Sequence, residues 1–442
     1  MQITIIGTGY VGLVSGACFS KLGLNVICVD NDVEKLNKLQ QKVTDIYEPK
    51  LEEMVRRGME SGKLTFSNDL PKAVKKSDVV FISVGTPGKQ NGEKDISQVL
   101  KTANEIAHAI TGYTLVVTKS TVPVGTSRAI ESIIANITNS KEFDIVSNPE
   151  FLREGSAVYD FLHPDRIVIG CKNNKAANLL SSLYQGINLG PVFITSPETA
   201  ELIKYASNCF LATKITFINE MSNLCESVNA DIRDLATALG YDRRIGSTYL
   251  STGPGYGGSC LPKDTKALLE TAKNHGLNVP LIKSVIEANE DRIIRLSERV
   301  VNSFENSEGV RIGVLGTTFK ANTDDIRHSP SLNLINRLIK SGFKVDTYDP
   351  KGNYNTSRVL TKIRVCSDAY EAAHNCQALI IMTEWKEFME LDFKKIGNLM
   401  SNKLIFDFRN LLDEKKLLKF GFDYRGIGLR NPKINALVHG GV

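Results

Sequence analysis

The sequence predicts an α/β protein: two Rossmann-like α/β domains joined by a central all-helical domain with a long linking helix. Three observations carry this reading. Short β-rich runs alternate with helical patterns over roughly the first 195 residues, vanish from Pro197 to about Phe304, and return at RIGVLG. The implied domains are 1–195, 196–305 and 306–442. A chain of 442 residues is too long for one ordinary core.

In the first domain the expected strands are Gln2–Ile6, Asn25–Val29, Val79–Val84, Thr114–Thr118, Phe143–Ser147 and Arg166–Ile169. In the middle, apolar positions recur at three and four. Ile282, Val285, Ile286, Ile293, Leu296, Val300 and Phe304 fit one stripe of a long helix, which either links domains, pairs with a second subunit or packs within its own. After the polar stretch Asn306–Gly309 come the strands RIGVLG and KVDTYDP around a helix from about Ser331 to Ser341, then Ala378–Met382 and Lys403–Phe408. The end of the chain, HGGV, reads as a frayed tail.

Hydrophobic residues at 42% and charged residues at 23% exclude a disordered or fibrous protein. The net charge of +5 is mild, and no basic run carries interleaved aromatics, so no nucleic-acid partner is expected. A small anionic substrate suits this balance. Eight cysteines without a CxxC pair point to free thiols in a reducing compartment, the cytoplasm. The N-terminal apolar run lacks a basic start and is broken by four glycines, so it reads as strand and turn, not as a signal peptide. No uninterrupted apolar segment is long enough for a membrane span. None of the six histidines stands in a metal-ligand spacing, so no metal is expected.

Gly7, Gly9 and Gly12 form GTGYVG directly between a strand and a helical pattern. The first makes a tight turn, the second lets the backbone approach a pyrophosphate, and the third lets helix and sheet pack closely. The second strand ends in Asp30, 18 residues past Gly12, where a carboxylate accepts from an adenine ribose and repels a 2′-phosphate. NAD is therefore expected in preference to NADP. The loops SVGTP and TKSTVPVGT follow strand ends and should face the cofactor, with Thr86 and Thr121 as candidates for polar contacts.

In GPGYGGSCLPKDTKAL, Pro262 suits a first helical turn and Cys260 sits just before it. A thiol there feels the positive end of the helix dipole, which favours thiolate. Asp264 lies one turn on, where it can move protons for a group bound beside Cys260. The preceding glycines remove side chains that would block a bulky ligand. A nicotinamide cofactor beside a thiolate suits a double oxidation: alcohol to aldehyde, capture as a thiohemiacetal, oxidation to a thioester, hydrolysis to a carboxylate. The other role for Cys260 is structural packing.

The sequence resembles the UDP-glucose 6-dehydrogenase family, within the wider nucleotide-sugar dehydrogenases. The resemblance runs over nearly the whole chain, through GTGYVGLVSG, SVGTP, KSTVPVGT, SNPEFLREGSA, DFLHPDRIVIG, ELIKYASNCFLATKITFINE, GPGYGGSCLPKD, FKANTDDIRHSPS and FDFRN. It implies NAD-dependent four-electron oxidation of UDP-glucose to UDP-glucuronate, with Cys260 as nucleophile. Lys204 and Asn208, four apart on one helix face, would hold the substrate oxygen. Asp264 and Glu150 would serve proton transfers and water activation, and Thr121 stands with this catalytic set. Substrate positions carried over are Glu150, Phe151, Leu152, Arg153, Glu154, Tyr249, Leu250, Ser251, Thr252, Gly253, Gly257, Lys320 and Arg409. Cofactor positions are Tyr10, Val11, Asp30, Lys35, Glu154, Lys263 and Arg327. Arg244 resembles an arginine that reaches a neighbouring subunit's substrate, so a homodimer or higher homo-oligomer is implied.

A GDP-mannose dehydrogenase shares GGSCLPKD and is the nearest rival. A non-catalytic NAD-binding regulator would have no use for Cys260, Lys204 and Asp264 together. A two-electron hydroxyacid dehydrogenase has no use for the cysteine. The second α/β unit has GTTFK in place of GxGxxG, which by analogy of fold suits UDP in place of a dinucleotide.

Overall fold

The computed structural model describes residues 1–89, 92–138, 142–187 and 190–429; the HGGV tail lies outside them. The chain forms two compact units, one of Met1–Ser207 with Lys266–Leu277, the other of Asn208–Thr265 with the chain from Asn278 onward.

The first unit holds an eight-stranded sheet of β1 (Gln2–Ile6), β2 (Asn25–Val29), β3 (Leu64–Ser67), β4 (Val79–Ile82), β5 (Thr114–Thr118), β6 (Phe143–Ser147), β7 (Ile167–Gly170) and β8 (Val192–Thr195). Their order is β3-β2-β1-β4-β5-β6-β7-β8, parallel except where β6 meets β7. β4 reads VVFI and is buried along its length, because both faces of a parallel sheet are covered and a central strand needs no polar side. Val79 and Phe81 join one core with Leu13 and Phe19, while Val80 and Ile82 join the opposite one with Val99 and Ile130. From β1 the chain winds outward to β3, then returns to β4 and winds the other way. Ligands bind in such sheets in the crevice beyond the carboxyl ends at this reversal, here the ends of β1 and β4.

The second unit holds β9 (Arg311–Leu315), β10 (Lys344–Tyr348), β11 (Arg364–Val365), β12 (Ala378–Ile381), β13 (Leu404–Asp407) and β14 (Asp423–Gly426), all parallel, in the order β11-β10-β9-β12-β13-β14. The same reversal falls between β9 and β12. Between the sheets in sequence lie the long helices Pro197–Val228 and Pro280–Val301, with Ile232–Tyr241 and Leu261–Asn274.

The stripe on the linking helix Pro280–Val301 packs within the chain. Leu296 and Val300 join the core of the second sheet with Ile312 and Val314, and Val285 packs with Ala212 and Tyr256. Phe304 lies beyond the helix, whose last residue is Val301; its ring instead meets Phe343 edge-on, centroids 5.5 Å apart. The strand expected to run to Val84 stops at Ile82, and that expected over Arg166–Ile169 is Ile167–Gly170. The unexpected strands are β3, β8, β11 and β14, the four sheet edges.

Candidate active site

In the first unit, Gly7 turns the chain out of β1 with φ +96°, a conformation that costs glycine little. A Cβ on Gly12 would lie 1.9 Å from the Gly7 carbonyl oxygen, so the helix Tyr10–Lys21 can start this close to the strand only with glycine there. Gly9 caps that helix without a side-chain bond, its first turn has no acidic residue, and a Cβ on Gly9 would meet nothing within 4 Å. The N-terminus around Tyr10 and Val11 thus offers backbone N–H donors with no anionic competitor. Asp30 follows β2 and accepts from the Thr8 N–H at 2.8 Å, the Thr8 hydroxyl at 2.6 Å and the Asp32 N–H at 3.1 Å. Burial alone would raise the Asp30 pKa, but these donors outweigh it and hold the carboxyl below its usual range. An ionised, half-buried carboxylate one strand from the glycine turn fits the ribose of NAD. Lys35 lies in the first turn of the helix Val33–Gln40, its N–H held by the capping Asp32 at 3.0 Å. The Tyr10 hydroxyl is engaged within the protein: it donates to Glu48 and accepts from the Gly155 N–H at 2.9 Å.

The loops after β4 and β5 are tied together. Thr86 donates its hydroxyl to the Thr121 carbonyl at 2.9 Å, and buried Lys94 donates to the same oxygen at 3.2 Å. Glu150, after β6, is paired with Lys204 at 2.9 Å, both side chains being 5% exposed or less. Its other oxygen accepts the Leu152 N–H at 2.6 Å. The Phe151 ring lies 5.5 Å from the Lys204 ammonium and 3.8 Å from the Arg166 guanidinium. Arg153 is exposed and forked onto Asp160, and Glu154 is half-buried beside it.

In the second unit, Cys260 is half-buried immediately before the helix Leu261–Asn274, as its sequence context predicts. Its Sγ is 3.6 Å from the Ser259 hydroxyl. One turn on, the Asp264 N–H donates to the Cys260 carbonyl at 2.9 Å, and the buried Asp264 carboxylate accepts from the Asn208 amide at 2.6 Å. Burial pushes up the pKa of each of the other seven thiols. Lys204 and Asn208 lie one turn apart on the same helix.

Tyr249 opens the next loop with φ +65°, a strained value for a tyrosine. Leu250, Thr252 and Gly253 are buried and Ser251 is exposed. Contrary to the expectation from the sequence, the loop's glycines do not leave free space for a ligand. A Cβ on Gly253 would meet Arg409 at 2.9 Å, on Gly255 Asn289 at 2.7 Å, on Gly257 the His328 carbonyl at 2.5 Å, and on Gly258 the Phe319 ring at 2.8 Å. The side chains are missing because this chain's own atoms occupy those places. At the carboxyl edge of the second sheet, Arg409 donates to the Met382 carbonyl at 2.9 Å and the Phe319 carbonyl at 3.2 Å, which brings it beside Lys320. Arg327 is exposed and forked onto Asp325, Lys263 is half-buried in the first turn after Cys260, and Arg244 is 88% exposed and paired with Asp242.

The chain matches three successive models of the UDP-glucose/GDP-mannose dehydrogenase family: its NAD binding domain over residues 1–188, its central domain over 198–291 and its UDP binding domain over 313–414. The chain belongs to this family. It is 46% identical over 434 residues to the UDP-glucose 6-dehydrogenase of Rhizobium meliloti (strain 1021), covering 97% of this chain and 99% of that one. It is 43% identical over 429 residues to the UDP-glucose 6-dehydrogenase TuaD of Bacillus subtilis (strain 168), covering 97% and 93%. The solved UDP-glucose dehydrogenase of the archaeon Pyrobaculum islandicum superposes with a TM-score of 0.90 at 35% identity, covering 97% of this chain and 98% of that one.

As in other members of this dehydrogenase family, the first domain binds NAD. In the family's UDP binding domain the first sheet's plan is repeated with a closed ending. Gly316 follows β9 with φ +95°, as Gly7 follows β1, and Asp349 follows β10, as Asp30 follows β2. Asp349, however, is fully buried and accepts from the N–H groups of Thr317 at 2.7 Å, Thr318 at 3.0 Å, Lys351 at 2.9 Å and Gly352 at 2.7 Å. Its carboxylate is used up inside the loop, which closes the position a dinucleotide ribose would take. The parallel between NVICVD and KVDTYD was the signal for it. Sequence reasoning also missed Lys119. This buried ammonium donates to Asn148 at 3.1 Å and Tyr184 at 3.2 Å, and so stitches the Thr121 loop to the Glu150 loop. Burial pushes it down to about 8. Glu201 was missed too; it caps the helix Thr126–Ile137, accepting from the Gly125 N–H at 2.6 Å and the Ser127 N–H at 2.8 Å.

Proposed function

We propose that the protein oxidises UDP-glucose to UDP-glucuronate, using two NAD per sugar. The observation that carries the reading is a half-buried thiol at a helix N-terminus, one turn before a buried Asp264–Asn208 pair, in a chain with a fitted NAD cradle. NAD, when bound, supplies the electron acceptor for each oxidation. Lys204 and Asn208 hold the oxygen at the reacting carbon, and the Lys204 ammonium favours negative charge there. Cys260 Sγ bonds to the carbon of the aldehyde, and its proton passes to the aldehyde oxygen. The resulting thiohemiacetal gives up its C–H as a hydride and its hydroxyl hydrogen as a proton, and so becomes a thioester. Water then attacks, the C–S bond breaks, and the thiol is restored as the carboxylate leaves. Asp264 and Glu150 are the carboxylates available for the proton transfers, and Thr121 serves with them. Tyr249–Gly253, Gly257, the segment Glu150–Glu154, Lys320 and Arg409 hold the nucleotide sugar. Lys263, Arg327 and Glu154 serve at the cofactor. The eight free cysteines support a reducing compartment, the cytoplasm.

The test is to count NADH formed per UDP-glucose consumed, with GDP-mannose assayed beside it. Two NADH and no free aldehyde are expected; one NADH with released aldehyde, or preference for GDP-mannose, would sink the reading.

A homodimer is part of this proposal. The helix Pro197–Val228 leaves Phe210, Phe217 and Leu224 at 66%, 43% and 52% exposure, seven apart and so on one face. Such a stripe is rare on a monomer and suits a second copy, with Arg244 reaching the neighbour's substrate. Sedimentation should give twice the chain mass, and Phe217→Glu should give the chain mass alone.

A further inference from the structure

The loop that leads to Cys260 is gripped from outside by the linking helix. Asn289 accepts the Tyr256 N–H at 2.8 Å and donates to the Tyr256 carbonyl at 3.2 Å. One turn further along the same face, Arg292 donates to the Gly253 carbonyl at 3.1 Å, while Asn219 accepts the Gly253 N–H at 2.9 Å. The two gripped loop residues are three apart, and so are the two gripping helix residues, which rise about 4.5 Å over that interval. Gly255 sits between the grips, and a Cβ on it would press on the Asn289 oxygen at 2.7 Å.

Arg292 is an unusual residue to bury. The residue is 4% exposed, and its hydrogen-bond acceptors are all neutral: the carbonyls of Gly253 and Asn219, the Asn223 amide at 2.7 Å and the Ser222 hydroxyl at 3.2 Å. Burial pushes its pKa down to about 10. Glu226 favours the charge from a distance, but a buried cation with no carboxylate among its hydrogen-bond acceptors is costly, and well-packed apolar residues would serve stability at least as well. What the fork provides is several donors in one rigid plane, which fixes a peptide carbonyl in direction as well as distance. The far half of the helix is anchored by Leu296 and Val300 in the second sheet's core, so the grip has a firm base.

We propose that Asn289 and Arg292 are positioning residues that set the Gly253–Tyr256 strip against the nucleotide sugar. This rests on the function proposed above. They act through the loop and do not touch the reacting atoms. In the full-length protein, Arg292→Lys and Asn289→Ala are expected to raise KM for UDP-glucose by about tenfold, the worth of one well-made hydrogen bond to an exactingly placed group. KM for NAD should stay within about twofold, and Arg295→Ala, on the exposed side of the same helix, should change neither. A fall in kcat with both KM values unchanged would mean only a smaller folded fraction and would overturn the proposal, as would equal rises in both. Amide exchange decides the grip without any substrate. Asn289→Ala should speed exchange at the Tyr256 N–H and spare the Gly253 N–H, which Asn219 holds; unchanged Tyr256 exchange would refute it. If the unaltered protein failed to oxidise UDP-glucose while the exchange result held, the function would be wrong and the grip right.

Discussion

Cys260→Ser is expected to reduce acid formation by on the order of 10³-fold or more, while NAD binding stays within about twofold. The two side chains are close in size, so the helix start at Leu261 should survive. The change removes nucleophilicity: sulfur attacks a carbonyl carbon far more readily than a serine hydroxyl without an adjacent base. The glycine turn and Asp30 belong to the other compact unit and keep their contacts. Single-turnover assays with UDP-glucose, beside an NAD titration, give both numbers. Near-normal acid formation would show that Cys260 is not the nucleophile.

Lys204→Met should have two separable effects. The first is on stability. The ammonium is the bonded partner of a buried carboxylate, and removing it leaves Glu150 with the Leu152 N–H and the field of the buried Lys119, at a cost of about 3–5 kcal/mol. The second is on rate: with Lys204 in the role proposed for it, loss of its fixed charge should lower kcat by about 10²–10³-fold. Lys204→Met combined with Glu150→Gln removes the stranded charge, so urea unfolding should recover most of the stability while kcat stays low. Recovery of kcat together with stability would make Lys204 a structural residue only.

The interior of both sheets was legible from the sequence and the edges were not. VVFI, TLVVT and RIGVL are apolar runs because helices cover them on both faces. At the edges the constraint relaxes: DYRG and the two-residue RV carry little apolar signal, and VFIT exposes Phe193 and Ile194. For the site, the glycine turn, Asp30 and the helix start behind Cys260 are local patterns and were readable as such. The meaning of Gly253, Gly255, Gly257 and Gly258 was not, because the atoms that fill their side-chain positions come from Arg409, Asn289, His328 and Phe319, far along the chain. A missing side chain reads the same whether a ligand or the protein takes its place. Lys204 illustrates the same limit: on a helix pattern it resembles a solvated charge, and only the fold shows it buried on Glu150.

The boundary between the compact units has a consequence for how the protein can be made. The chain leaves the first unit after Ser207, rejoins it at Lys266 and leaves again after Leu277, and the first two of these crossings fall inside uninterrupted helices. A ribosome that has synthesised the whole eight-stranded sheet has therefore not yet synthesised a complete first unit. The strip Lys266–Leu277, whose Lys266 and Glu270 lie beside Gly92, emerges only after Asn208–Thr265 has been made. No single cut in the gene separates the two compact units, and the NAD-binding unit is completed only by a segment encoded beyond Cys260.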